Sequence, residues 1–97
     1  MDSDTIIRTL RAHEEELRAE GISHVFLFGS VARGEADEHS DVDLFFDYHD
    51  PKFSLIDLVR VKRRFGEILG TRVDAMTRRS VHPRIRQEVE AEAVRVF

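Results

Sequence analysis

Four consecutive apolar residues, Val25-Phe26-Leu27-Phe28, constrain the fold most. A β-strand points alternate side chains to opposite faces, so a strand that is apolar at every position has two faces to bury. The run therefore predicts a central strand inside a layered domain. The chain has 97 residues, which is enough for one such domain and not for two.

The rest of the chain alternates helical and extended patterns around this strand. The predicted elements are a helix from Ser3 to about Glu20, a strand from Ile22 to Phe28, a helical turn at Val31-Ala32-Arg33, a strand from Asp41 to Asp47, a helix from Ser54 to Leu69, a strand from Thr71 to Thr77 and a helix from Pro83 to about Val94. This order predicts an α+β fold, an α/β sandwich in which helices pack against a small mixed sheet.

Several residues signal helix ends and buried faces. Ser3 is predicted to cap the first helix, Ser54 and Asp57 form a capping box, and Gly21 and Gly70 are predicted stops. The side chains expected to face the core are Leu55, Leu58 or Val59, Phe65 and Ile68 or Leu69 in the helix after Ser54, and Ile85, Val89 and Ala93 in the last helix.

The strand from Asp41 to Asp47 is acidic on one face. Asp41 and Asp43 are two residues apart, so both carboxylates point the same way. Two like charges held so close repel unless a cation lies between them or one is protonated. Oxygen ligands of this kind suit Mg²⁺ or Mn²⁺, which complete their shells with water and substrate phosphates. A charged edge strand that resists aggregation would show the same pair, so the pair alone does not identify a site.

Gly29-Ser30 follows the central strand and precedes a predicted helical turn. Backbone N–H groups and a serine hydroxyl at such a turn can hold phosphate oxygens, and glycine lets the chain approach closely. The alternative is an ordinary strand-to-helix turn with Ser30 as its N-cap. Ten residues separate Ser30 from Asp41, which lets the chain return antiparallel and brings the turn near the carboxylates.

Asp74 supplies a third carboxylate from a later strand, between Val73 and Ala75. By itself it is either a metal ligand or a solvent-facing strand residue. The combination is more informative, because a phosphate-binding turn, two carboxylates on one strand and a third on another are what two-metal nucleotidyl transfer requires. The residues therefore predict a metal-dependent nucleotidyltransferase.

At these positions the sequence resembles the minimal nucleotidyltransferases (MNT proteins) of the polymerase-beta superfamily. Their hallmark, Gly-Ser followed after ten residues by Asp-x-Asp, stands here as Gly29-Ser30 and Asp41-Val42-Asp43, with the family's third carboxylate at Asp74. The commoner form of the motif is also matched, at Ala32, Arg33, Gly34, Ser40 and Leu44. The resemblance covers nearly the whole chain and implies a nucleotidyltransferase-like fold with the helices packed on one face of the sheet.

The resemblance also implies roles for these residues. Asp41, Asp43 and Asp74 would be catalytic and would bind Mg²⁺ or Mn²⁺, and Asp74 could also accept a proton. Gly29 and Ser30 would hold the triphosphate of the substrate, ATP. Two motif residues have structural roles as well: Ser40 is expected to fix the entry to the strand, and Gly34 to end the turn with a positive φ.

Arg33 has two interpretations. It contacts phosphate, or it forms a salt bridge to Glu35, Asp37 or a motif aspartate.

MNT proteins of this length commonly pair with a small helical HEPN protein, a ribonuclease toxin. The MNT member acts as the antitoxin, in some cases by adding AMP to a tyrosine of the toxin. The resemblance therefore implies transfer of AMP to a hydroxyl of a HEPN-type partner. Two alternatives stay open: an antitoxin that neutralises by docking alone, and a nucleotidyltransferase that acts on a small molecule, which the small size of the chain disfavours.

Charge is unevenly distributed along the chain. Residues 1–51 hold 4 Lys and Arg against 13 Asp and Glu, whereas residues 52–97 hold 11 against 6. An acidic cation site beside a basic surface gives this pattern, and so do solvated helix faces. There is no cysteine, no apolar run of membrane-spanning length and no signal-peptide pattern at the N-terminus. We expect a cytoplasmic protein that contacts neither membrane nor nucleic acid directly.

Overall fold

The computed structural model describes residues 1–37 and 39–97. The helices are α1 (Ser3–Ala12), α2 (Glu14–Ala19), α3 (Gly29–Ala32), α4 (Leu55–Leu69) and α5 (Pro83–Glu92), and the strands are β1 (Ile22–Phe28), β2 (Val42–Tyr48), β3 (Val73–Thr77) and β4 (Val94–Arg95). A single 3₁₀ turn, Arg78–Ser80, joins β3 to the segment before α5. Within the described ranges, no helix combines the length and the apolar character that a membrane crossing needs.

The strands form one mixed sheet in the order β3-β2-β1-β4. Strand β1 pairs antiparallel with β2 and β4, and β2 pairs parallel with β3. Strand β1, which carries the apolar run Val25–Phe28, is thus an interior strand, and the predicted α+β fold with a mixed sheet is confirmed. The register places Phe28 opposite Asp43, and Asp43 opposite Asp74, so that three strands meet where the predicted site residues lie.

Side-chain alternation gives the sheet two different faces. On the first, which we call the core face, Val25, Leu44 and Phe46 are fully buried among side chains of α1, α2 and α4. On the second, which we call the open face, Phe28 and Phe45 form a smaller cluster with side chains of α5 and of the segment before it. Helices α1, α2 and α4 pack on the core face, and α5 covers part of the open face.

The first helix is broken, contrary to the prediction of one helix from Ser3 to about Glu20. α1 ends at Ala12, because the backbone of His13 is not helical and its N–H donates to Leu10 O at 3.0 Å. The His13 ring nitrogen also lies 2.9 Å from Thr9 O, which occupies a carbonyl of the last turn. The N-cap is Asp2 and not Ser3, because Asp2 Oδ1 accepts the Thr5 N–H at 2.8 Å.

Helix α4 has the predicted ends and a different buried face. Its capping box and its left-handed Gly70 stop are present. Leu55, however, is 79% exposed, so the prediction that it faces inward is wrong. Of the predicted pair Leu58 or Val59, Leu58 packs against the core and Val59 is 59% exposed. The core side of α4 is set by Val61, Phe65 and Leu69. Because successive helical residues are about 100° apart, Val59 lies about 200° around the helix from Val61.

The chain ends in a strand where the sequence predicts helix. Ala93 is extended, and Val94–Arg95 pairs with the second edge of β1. Val96 N–H donates to Val25 O at 2.8 Å, and the Val96 side chain is fully buried. Of the predicted stripe on the last helix, Val89 is buried, Ile85 is 47% exposed and Ala93 lies beyond the helix. The free edge of β1 thus determines where α5 stops.

Candidate functional site

Two of the three predicted carboxylates are neighbours on the open face. Asp43 and Asp74 are in register on the parallel strands β2 and β3, so their side chains point the same way. Asp43 is half-buried and Asp74 is exposed. Burial raises the pKa of Asp43, and the negative charges of Asp74 and then Asp41 raise this pKa further. The site thus concentrates negative charge at the start of two adjacent strands.

The Gly29-Ser30 turn lies directly against Asp43. Gly29 begins α3 immediately after β1 and has a φ of +77°, which favours glycine. A Cβ atom at this position would overlap the Asp43 carboxylate and would lie 3.0 Å from its Cγ. Glycine is therefore required twice here, for its backbone conformation and for the space that the carboxylate fills. The predicted approach of turn and carboxylates is present.

Ser30 lies next to this contact and is half-buried. Its carbonyl oxygen accepts the Glu35 N–H at 2.9 Å, which closes the turn. Among the described residues, no hydrogen bond uses its hydroxyl. Nor does any side chain cap the start of α3, so the N-cap alternative for Ser30 is wrong and Phe28 holds that position. The hydroxyl of Ser30, one residue after the glycine that contacts Asp43, is thus free to bind a ligand.

Arg33 forms the predicted salt bridge to Glu35 and a second one that the sequence did not reveal. Its Nε lies 3.0 Å from Glu35 Oε2, and its Nη1 lies 3.1 Å from Glu92 Oε1 at the end of α5. The hydrogen bond to Glu35 is the main cause of a raised Arg33 pKa. The positive charge of Arg33 also acts to lower the pKa of Asp43. The guanidinium is therefore close enough to interact electrostatically with the Asp43 carboxylate.

Asp41 lies at the border of the site, just before β2, and is exposed. Its Oδ1 is 3.9 Å from Arg72 Nη1, and these two residues line a cleft of about 410 Å³ together with Ser40. The Ser40 hydroxyl accepts the Asp37 N–H at 3.1 Å, so Ser40 fixes the entry to the strand, as predicted. Gly34 has the predicted positive φ, +73°.

These carboxylates do not form a complete metal site by themselves. In residues 1–37 and 39–97, no three Asp, Glu or His side chains are grouped closely enough to hold a metal ion. The set nevertheless fits a divalent cation that is shared with a nucleotide, because Mg²⁺ takes only one or two protein carboxylates when phosphates supply further oxygens. The mutual repulsion that raises the Asp43 pKa is what such a cation would relieve.

Arg78 contacts side chains of the open face at the other end of β2. Its guanidinium makes two hydrogen bonds to Asp47, of 2.8 and 2.9 Å, and lies 4.8 Å from the ring centre of Phe26 and 5.2 Å from that of Phe45. A cleft of about 440 Å³ opens beside it, and neither Asp43 nor Asp74 lines this cleft. No local sequence pattern signals this pairing, because Asp47 and Arg78 lie 31 residues apart.

Comparison with known proteins identifies close relatives. The model of a family described as a nucleotidyltransferase domain matches residues 10–96. A Methanocaldococcus jannaschii protein named "Putative protein adenylyltransferase" is 42% identical over 77 residues, which are 79% of this chain and 82% of that protein. "Protein adenylyltransferase MntA" of Thermococcus cleftensis is 38% identical over 88 residues, covering 90% of this chain and 88% of that protein.

Two solved structures share the fold. One is described as a "putative minimal nucleotidyltransferase" and superposes with a TM-score of 0.72 at 40% identity, covering 97% of this chain and 95% of that chain. The other, described as a toxin-antitoxin with AMP-PNP, superposes with a TM-score of 0.70 at 22% identity, covering 100% of this chain and 73% of that chain. The second likeness shows the fold alone.

Proposed function

Because this chain belongs to the nucleotidyltransferase domain family, we propose that it transfers AMP from ATP to a hydroxyl group of a partner protein, a HEPN-type toxin. The observation that carries the proposal is the contact of the Gly29 backbone with Asp43, with Asp74 in register beside it. The arrangement supports the proposal because a turn of a kind that can bind phosphate lies against Asp43, with Asp74 on the neighbouring strand. The predicted enzyme class, a nucleotidyltransferase, is confirmed by the family match and by the relatives.

Two findings support the choice of acceptor and nucleotide. The relatives at 42% and 38% identity are named protein adenylyltransferases, which favours a protein acceptor over a small molecule. A protein of the same fold is described as a toxin-antitoxin with AMP-PNP, the combination of partner and nucleotide that we propose here.

In the proposed site, Asp41, Asp43 and Asp74 would hold Mg²⁺ or Mn²⁺. When bound, such an ion neutralises phosphate charge and lowers the pKa of the attacking hydroxyl. Asp74, the more exposed of the two strand carboxylates, accepts the proton of the acceptor hydroxyl. The hydroxyl oxygen then forms a bond to the α-phosphorus, the bond from that phosphorus to the bridging oxygen breaks, and pyrophosphate leaves with the electron pair.

The turn after β1 positions the triphosphate. The Ser30 hydroxyl and the backbone N–H groups near Gly29 donate to phosphate oxygens. Arg33 contributes a positive charge on the same side, and a phosphate that replaces Glu92 would keep this charge paired. Removal of the Ser30 hydroxyl should therefore weaken nucleotide binding more than it slows transfer, because the backbone donors remain.

The test is the intact mass of a purified HEPN-type toxin after incubation with ATP, Mg²⁺ and this protein. Wild type should add at least one AMP mass. Asp74→Ala should add none while it retains much of the nucleotide binding, because Asp74 serves the acceptor more than the nucleotide. Glu15→Ala, an exposed carboxylate change on α2, should behave as wild type and serves as the matched control. If all three proteins neutralise the toxin without any mass change, the proposed enzyme activity is contradicted. The protein would then act as an antitoxin by docking alone.

A further inference from the structure

Helix α4 begins with an exposed apolar surface formed by Leu55, Ile56 and Val59, which we call the α4 patch. These side chains are 79%, 77% and 59% exposed, respectively. They lie together on the side of the helix that faces away from the sheet, since the core side is set by Val61, Phe65 and Leu69. Large apolar side chains grouped in this way on a small domain mark an interaction surface more often than isolated ones do.

Basic residues border the α4 patch. Arg60 and Arg63 follow Ile56 and Val59 by four residues and therefore line the same cleft. Arg60 is paired with Asp57 at 2.6 Å. Lys62 and Arg63 form no ion pair within the described part of the chain, so their charges are available to a partner. The surface thus combines an apolar centre with a positive border.

The α4 patch is separate from the candidate nucleotide site. α4 packs on the core face, whereas Asp43 and Asp74 project from the open face. The patch lies at the start of α4, soon after β2 ends, while Asp43 is near the beginning of β2. The four residue-to-residue steps from Asp43 to Asp47 alone span about 13 Å of strand. A protein bound to the α4 patch would therefore leave the carboxylates accessible.

We infer that the α4 patch docks a partner protein through an amphipathic helix whose apolar stripe has acidic borders. A helix with apolar side chains at i, i+3 and i+4 matches the spacing of the patch, and acidic borders would complement Arg60, Lys62 and Arg63. A second copy of this chain fits less well, because a twofold contact would oppose two sets of arginines. The inference rests on the proposed function in one respect only, that the docked protein supplies the acceptor hydroxyl.

The experiment uses two synthetic helical peptides with the same leucine stripe, one bordered by glutamate and the other by lysine. In fluorescence anisotropy titrations with the whole chain, the glutamate peptide should bind at least about tenfold more tightly. Ile56→Asp should weaken its binding by about tenfold or more. This variant should stay folded, because an acidic residue in the first turn of a helix is favourable. Ile85→Asp changes an exposed isoleucine on α5 and should bind as wild type.

A charge-reversal variant provides a second test of the inference. Arg63→Glu should reduce the preference for the glutamate peptide and raise the affinity for the lysine peptide. Equal binding of the two peptides, or equal weakening by Ile56→Asp and Ile85→Asp, would overturn the inference. So would a dimer in sedimentation that Ile56→Asp dissociates, since a second copy would then occupy the patch.

The same peptide titration distinguishes a failure of the docking surface from a failure of the proposed function. Asp43→Asn should bind the glutamate peptide as wild type does, because Asp43 lies on the other face of the sheet. Wild-type protein that binds this peptide and transfers no AMP would contradict the proposed function and support the docking surface.

Discussion

The two faces of β2 differ in kind although their residues alternate along a single strand. Leu44 and Phe46 are fully buried against the helices, whereas Asp43, between Val42 and Leu44, is half-buried and has a raised pKa. The core face supplies most of the apolar burial, and the open face carries repelling carboxylates that do not stabilise the fold. Alternation lets a domain of this size hold a reactive site one residue away from its core.

The largest expected effect comes from the open face. Asp43→Asn keeps the shape of the side chain and removes its charge, so AMP transfer should fall by roughly a thousandfold or more. The free energy of unfolding at neutral pH should stay the same or rise, because a carboxyl group with a raised folded-state pKa destabilises the folded state when ionised. Intact-mass kinetics and urea unfolding measure the two quantities. A large loss of stability would show that Asp43 also supports the fold.

The neighbouring residue on the core face should show the opposite behaviour. Leu44→Ala leaves a cavity at a fully buried position and should lower the free energy of unfolding by about 2–5 kcal/mol. Transfer per folded molecule should change far less than in Asp43→Asn, because no ligand or phosphate contact is lost. Urea unfolding and transfer assays below the unfolding temperature measure both effects. Equal losses of activity in Leu44→Ala and Asp43→Asn would contradict the claim that the two faces of β2 have different roles.

The smallest effect concerns Gly29, where the turn and the open face meet. Gly29→Ala should lower the free energy of unfolding by about 1–2 kcal/mol, because φ is +77°, and should slow transfer, because its Cβ displaces the Asp43 carboxylate. Gly70→Ala is the matched control, since Gly70 has a φ of +66° and no neighbour within 4 Å of an added Cβ. It should lose no more stability than Gly29→Ala, because only the backbone conformation is strained, and it should retain transfer. If the transfer rate falls equally in both variants, Gly29 has no specific role in the candidate site.

The elements with local signals were predictable from the sequence. Strand β1 is exact in both bounds, because four apolar residues and a following glycine specify it. The capping box at Ser54 and the glycine stop at Gly70 are predictable because each depends on local hydrogen bonds or on the local backbone conformation. Other predictions failed where distant partners decide the structure, as at Val94–Arg95, which pairs with β1, and at Leu55, whose exposure depends on how α4 lies on the sheet. The break after Ala12 is also missed, although the hydrogen bonds that mark it are local.

For the site, the sequence by itself named the candidate residues Gly29, Ser30, Asp41, Asp43 and Asp74, and the resemblance of this motif to that of the minimal nucleotidyltransferases indicated the family. Only the tertiary structure decided which groups meet. Strand register sets Asp43 beside Asp74 and against Gly29, and it also brings Asp47 to Arg78 at the end of the β2–β3 pair. The packing of α5 brings Glu92 to Arg33. The physical reason is that these contacts join residues from different elements, and their positions depend on how the whole core packs, which local sequence patterns do not encode.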